Sequence, residues 1–132
     1  LRGKGETILL VEDEALIIQA TRRMLLSLGY TVLATQVPEE AFRLVEAQGD
    51  RIQLVLSDVV MPDMRGPQVA HELRGARPKL RVLFISGYSE GVEFGQELRG
   101  VDRFLAKPFS SAQLQQAVRD VLAAPETQED GR

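Results

Sequence analysis

A chain of 132 residues with 44% apolar and 27% charged side chains can bury one real core and is too apolar to stay disordered. It has no cysteine, which excludes a disulfide framework, a thiolate zinc site and a cysteine nucleophile, and fits a reducing cytoplasmic setting. A formal net charge of −3 has the wrong sign for a nucleic-acid footprint, and no apolar run approaches the roughly 18–20 residues that cross a bilayer.

In chain order, the polar, glycine-rich opening Leu1–Glu6 reads as a linker, and Leu1 in place of Met fits a piece of a longer chain or a trimmed tag. The domain is expected over 7–124, with 125–132 as a flexible polar tail. Thr7–Val11 forms the first strand. Leu16, Ala20, Met24 and Leu28 follow as the apolar stripe of a helix that Gly29 stops. Thr31–Thr35, richer in threonine, suits an edge strand. Pro38 fits a first helical turn, and Ala41, Leu44 and Val45 continue that helix. Gln53–Ser57 is a third strand, and Val69, Ala70 and Leu73 mark a third helix ending near Gly75 and Pro78. Arg81–Ile85 is a fourth strand. The stretch 89–100 is a poor helix, because Gly91, Gly95 and Gly100 each cost about 1 kcal/mol against alanine in a helix interior. Arg103–Ala106 is a fifth strand, and Leu114, Ala117, Val118, Val121 and Leu122 give a last amphipathic helix capped by Ser110 or Ser111.

Three of the strand runs are nearly continuous Ile, Leu, Val or Phe, which suggests strands covered on both faces. Alternation of strand and helix about five times predicts an α/β doubly wound sheet. Ligands of such sheets bind at the carboxyl ends of the strands. Those ends carry Glu12, Asp13 and Glu14, then Ser57-Asp58, then Ser86-Gly87, then Ala106-Lys107-Pro108. Carboxylates gathered at one edge repel unless a cation sits among them, and hard oxygen ligands suit Mg²⁺. A lysine and a serine beside that ion complete a seat for the three oxygens of a phosphoryl group.

The segments Ile8-Leu9-Leu10-Val11-Glu12-Asp13-Glu14, Leu54-Val55-Leu56-Ser57-Asp58-Val59-Val60-Met61-Pro62, Phe84-Ile85-Ser86-Gly87 and Leu105-Ala106-Lys107-Pro108-Phe109 resemble the receiver (CheY-like) domains of two-component response regulators. The likeness runs over about residues 6–123 in family order. It implies a flavodoxin-like five-stranded parallel sheet of order 2-1-3-4-5 and a phosphorelay function. It makes Asp58 the phosphoacceptor, Asp13 a direct Mg²⁺ ligand, Glu12 a ligand through water and the Val60 backbone carbonyl a further oxygen. Ser86 takes the place of the switch hydroxyl, Lys107 that of the phosphoryl-binding lysine and Phe104 that of the switch aromatic. Pro108 follows the lysine in a peptide that is cis in the family. The implied donor is the phospho-histidine of a sensor kinase or phosphotransfer domain, with no nucleic acid or membrane touched and a weak homodimer as the further partner. Phosphorylation is expected to reshape the surface around 89–100, the fifth strand and the last helix. By itself the domain is an acceptor rather than an enzyme.

The Gly5-Glu6-Thr7 opening and Ser86-Gly87-Tyr88-Ser89 look like receivers of hybrid sensor histidine kinases; a response regulator without its effector domain is the alternative. A magnesium-dependent aspartyl phosphohydrolase ranks below both, because Glu12-Asp13-Glu14 lacks that family's second Asp and threonine. A flavodoxin-like cofactor binder ranks low too, for want of a Trp and a phosphate loop. His71-Glu72 superficially resembles a kinase phospho-histidine box and reads as a surface residue of the third helix, while Asp63 and Asp102 read as solvated loop acids. Glu12 departs from the Asp common at its position. Val60 and Tyr88 carry no acid or carboxamide to orient an attacking water. Phospho-Asp58 is therefore expected to hydrolyse slowly; loss of radiolabel from the labelled protein measures this, and a half-life of seconds would contradict it.

Overall fold

The computed structural model describes residues 3–58, 66–86 and 103–123. Five strands, β1 (Thr7–Val11), β2 (Thr31–Thr35), β3 (Ile52–Asp58), β4 (Arg81–Ser86) and β5 (Arg103–Ala106), form one sheet in the order β2-β1-β3-β4-β5. Every pairing is parallel. The described helices are α1 (Ala15–Ser27), α2 (Pro38–Gln48), α3 (Gly66–Ala76) and α4 (Ser111–Ala123), with one 3-10 turn at Gly49–Arg51. The expected stretch 89–100, Val60, Tyr88, Asp63 and Asp102 lie outside the described residues.

The pleat explains why the strand sequences are continuously apolar. Leu9, Val11, Val55, Val82 and Phe84 face one core with α2 and α3, through Ala41, Val45, Val69 and Leu73. Ile8, Leu10, Leu54, Leu56, Leu83 and Ile85 face the other with α1 and α4, through Ile18, Leu25, Leu114 and Val118. A central strand has no solvent face, so no polar alternation survives in it. Threonine-rich β2 is an edge, as its composition suggests.

Local chemistry sets the helix ends. Pro38 opens α2, with Glu39 and Glu40 in its first turn, where the helix dipole favours negative charge. Ser110 caps α4: its hydroxyl accepts from the Gln113 amide at 3.1 Å, and the Gln113 side chain accepts from the Ser110 amide at 2.8 Å.

The apolar stripe of α1 differs from expectation. Leu16 is 81% exposed, and the buried residues are Ile18, Thr21 and Leu25. A strict spacing of four advances about 40° per step past a full turn, so the run from Leu16 to Leu28 winds off any single face. Spacings of three and four together track one face, and Ile18, Thr21 and Leu25 follow them.

At the sheet edge farthest from the strand tips, the Gly3 amide donates to the Leu28 carbonyl at 2.6 Å, and the Gly5 amide to the Gly29 carbonyl at 2.9 Å. Gly29 sits at φ +98°, and a Cβ there would lie 2.7 Å from the Gly3 carbonyl oxygen. The buried ring of Tyr30 closes over Gly3, where a Cβ would fall 2.5 Å from the ring.

Burial predicts opposite outcomes for two leucines of one helix. Leu25→Ala should cost about 2–5 kcal/mol in urea unfolding, whereas Leu16→Ala should stay within about 0.5 kcal/mol of wild type.

Candidate functional site: an acidic cluster closed by a lysine

The chain runs from β1 out to β2, then crosses back to β3 on the far side of β1. That reversal opens a crevice beyond the carboxyl ends of β1 and β3, where doubly wound sheets bind ligands. Val11 pairs with Ser57, so Glu12 and Asp13 leave β1 level with Asp58 at the end of β3. Apolar burial drives these two strands to the centre, and the acids at their tips are carried in with them.

One oxygen each from Glu12, Asp13 and Asp58 lies within 4.8 Å of the others. Glu12 is fully buried and Asp58 nearly so, while Asp13 is half-buried. The amide of Glu14 donates to Glu12 Oε2 at 3.1 Å, but buried Oε1 has no hydrogen-bond partner. A buried oxygen left without a donor beside two further carboxylates is a fitting ligand set for a small, oxygen-bound dication. Asp13, Asp58 and Glu12 would hold such an ion, and its charge would offset their mutual repulsion.

Lys107 closes the site from β5. Its Nζ lies 3.3 Å from Asp58 Oδ2, reaching past β4 to the tip of β3. Strands two places apart are about 9–10 Å distant, within reach of a four-carbon arm. The Lys107–Pro108 peptide is cis, as the resemblance implies. Burial disfavours the charged ammonium, but Asp58 and Glu12 outweigh it and hold Lys107 above its usual range. Glu12 is pushed up to about 7, mainly by burial; Asp58 adds to the rise, and the Glu14 amide and Lys107 oppose it.

Ser86 ends β4 opposite Ala106, on the same sheet edge. Phe104 is half-buried and packs on Phe84, ring centroids 6.2 Å apart, in the core shared with α2 and α3. His71 faces solvent on α3. The expected ligand carbonyl of Val60 lies outside the described residues. One neighbour of the acids went unread in the sequence: Gln36, just after β2, donates from Nε2 to the Asp13 carbonyl at 2.9 Å. Nothing in a lone glutamine between a strand and a helix signals such a contact.

Sheet order and site together define a class: single-sheet, flavodoxin-like domains whose chemistry sits at the switch point of the strand order. A family model, the response regulator receiver domain, matches residues 8–119, and the chain belongs to that family of two-component phosphorelay domains. Sensor kinase CckA of Brucella abortus (strain 2308) is 42% identical over 118 residues, covering 88% of this chain and 12% of the kinase. The solved receiver domain of hybrid histidine kinase CckA has a TM-score of 0.73 at 35% identity, covering 88% of this chain and 98% of that one. The receiver domain of sensor histidine kinase PA1611 from Pseudomonas aeruginosa PAO1, solved with a magnesium ion coordinated in its active-site cleft, has a TM-score of 0.79 at 28% identity, covering 91% and 99%. Receivers accept phosphoryl groups from histidine kinases or phosphotransfer proteins. No helix among the described residues is long and apolar enough to cross a membrane.

The burial of Glu12 gives a pH prediction. Folded Glu12 keeps its proton to about pH 7, whereas an unfolded glutamate releases it near 4.5, so the folded state binds more protons between those values. Stability should therefore fall as pH rises through that window in metal-free buffer. The raised Lys107 titrates far above it. Urea unfolding at several pH values should show the decline in wild type and a flatter profile in Glu12→Gln.

Proposed function

We propose that Asp58 is the phosphoacceptor of this receiver and that the acid cluster beside it is a Mg²⁺ site. Asp13 and Asp58 would bind the ion directly, Glu12 through water, and the Val60 carbonyl would add a further oxygen. The observation that carries the reading is the approach of Glu12, Asp13 and Asp58 to within 4.8 Å. The lysine at 3.3 Å from the central carboxylate adds to it. When bound, the cation neutralises charge among the carboxylates and the transferring phosphoryl oxygens.

Asp58 supplies the nucleophile. A carboxylate oxygen forms the new O–P bond while the P–N bond to the donor imidazole breaks, and the imidazole leaves with the electron pair. Lys107, already hydrogen-bonded to Asp58, shifts part of that bond to a phosphoryl oxygen. Ser86, on the adjacent strand tip, donates to another. The added charge draws Ser86 inward, and Phe104 turns against Phe84, reshaping the surface of 89–100, β5 and α4. Domain boundaries of 7–124, with 1–6 as linker and 125–132 as tail, accompany this reading, as does a weak homodimer.

The donor is a phospho-histidine of a sensor kinase or phosphotransfer domain, and the setting is cytoplasmic. The parent is a hybrid sensor histidine kinase. The 42% identity to a sensor kinase supports this, although the chain spans only 12% of that relative.

Intact-mass measurement after acetyl phosphate treatment tests the site. Wild type should gain one phosphoryl group with Mg²⁺ and lose that gain with chelator, and Asp58→Asn should gain none. Labelling of Asp58→Asn at the wild-type level, or of wild type in chelator, would refute the assignment.

A further inference from the structure

We propose that Gln36 is a positioning residue for the cation site, acting through the backbone of Asp13. The inference deepens the reading above and rests on Asp13 and Glu12 being the carboxylates that meet the ion.

Asp13 lies in the short link between β1 and α1, outside the regular hydrogen bonding of either element. Three contacts hold this link. The Glu12 amide donates to the Thr35 carbonyl at 3.1 Å, extending the β1–β2 ladder by one residue. The Glu14 amide donates to the Glu12 carboxylate at 3.1 Å. The third contact is the Gln36 side chain, which donates to the Asp13 carbonyl at 2.9 Å. A carbonyl can only accept, so the amide nitrogen of Gln36 must be the atom that faces it.

Gln36 can serve this role because its own backbone is fixed. Just before it, the buried Thr35 hydroxyl accepts from the Val37 amide at 3.0 Å and donates to the Glu40 carboxylate at 2.5 Å. Just after it, Pro38 opens α2 with its φ set by the ring. The two-residue link between β2 and α2 is thus anchored at both ends, and the amide of Gln36 is presented to the acidic tip.

The bond fixes the peptide whose Cα carries the Asp13 carboxylate. Partners that orient a metal ligand commonly set affinity even though they never touch the metal. Gln36 is exposed, so removing its amide leaves the core intact. Gln36 therefore sets how readily Asp13 is presented to the ion, and leaves the phosphoryl step itself alone.

The test is Gln36→Met, which keeps length and removes the donor. Mg²⁺ titration followed by amide NMR shifts, thermal unfolding, and acetyl phosphate labelling across Mg²⁺ concentrations are compared with wild type. The expected result is Mg²⁺ binding weakened roughly three- to tenfold, the share of one net hydrogen bond, with the metal-free thermal midpoint lowered by only a few degrees. Labelling should slow at low Mg²⁺ and return to the wild-type rate at saturation. Wild-type affinity in the variant overturns the inference, and so does a labelling rate that stays low at saturating Mg²⁺. A wild-type protein that binds no Mg²⁺ overturns instead the cation site on which the inference rests.

Discussion

The structure depends on crowding negative charge where water cannot dilute it. Glu12 is fully buried beside Asp58, and no hydrogen bond reaches Glu12 Oε1. Burying carboxylates is unfavourable unless something compensates. What forces the crowding is the apolar character of Ile8–Val11 and Leu54–Leu56, whose residues are all fully buried. Partial compensation comes from the Lys107 ammonium and the Glu14 amide, and burial still pushes the Glu12 carboxyl up to about 7. The hydrophobic core thus holds an electrostatic imbalance at its rim, and an arriving cation meets acids already assembled.

The same sheet sets how far a change at that rim has to travel. Ser57, the neighbour of Asp58, pairs with Phe84 on β4, and Phe84 pairs with Phe104 on β5. One strand separates the acidic tip from the half-buried ring. Because Leu105 points into the opposite core, β5 touches both halves of the interior within two residues. A small displacement of β5 would disturb packing on both faces, which suits a strand at the edge of the sheet.

Much of this was legible in the order of the residues. Central strands read clearly because continuous Ile, Leu and Val leave no other placement, and Pro38 and Ser110 mark helix starts by known chemistry. The acids and the lysine were legible because each directly follows an apolar run, so the topology alone brings them to one edge. The buried face of α1 was not: Leu16, Ala20, Met24 and Leu28 make a tidy series that a helix of 3.6 residues per turn cannot keep on one side. Gln36 was equally invisible. Its partner is a backbone carbonyl 23 positions away, and such an acceptor exists at every residue.

The lacing of residues 3–5 along Leu28 and Gly29 has a mechanical consequence. Two backbone hydrogen bonds, a glycine at φ +98° and the lid of Tyr30 fasten this strip at the pole away from the acids. Tension applied at residue 3 is therefore taken up by the corner between α1 and β2. The strip would peel from that corner before β1 itself was loaded, so the leading end can be tugged without dragging the acids out of register.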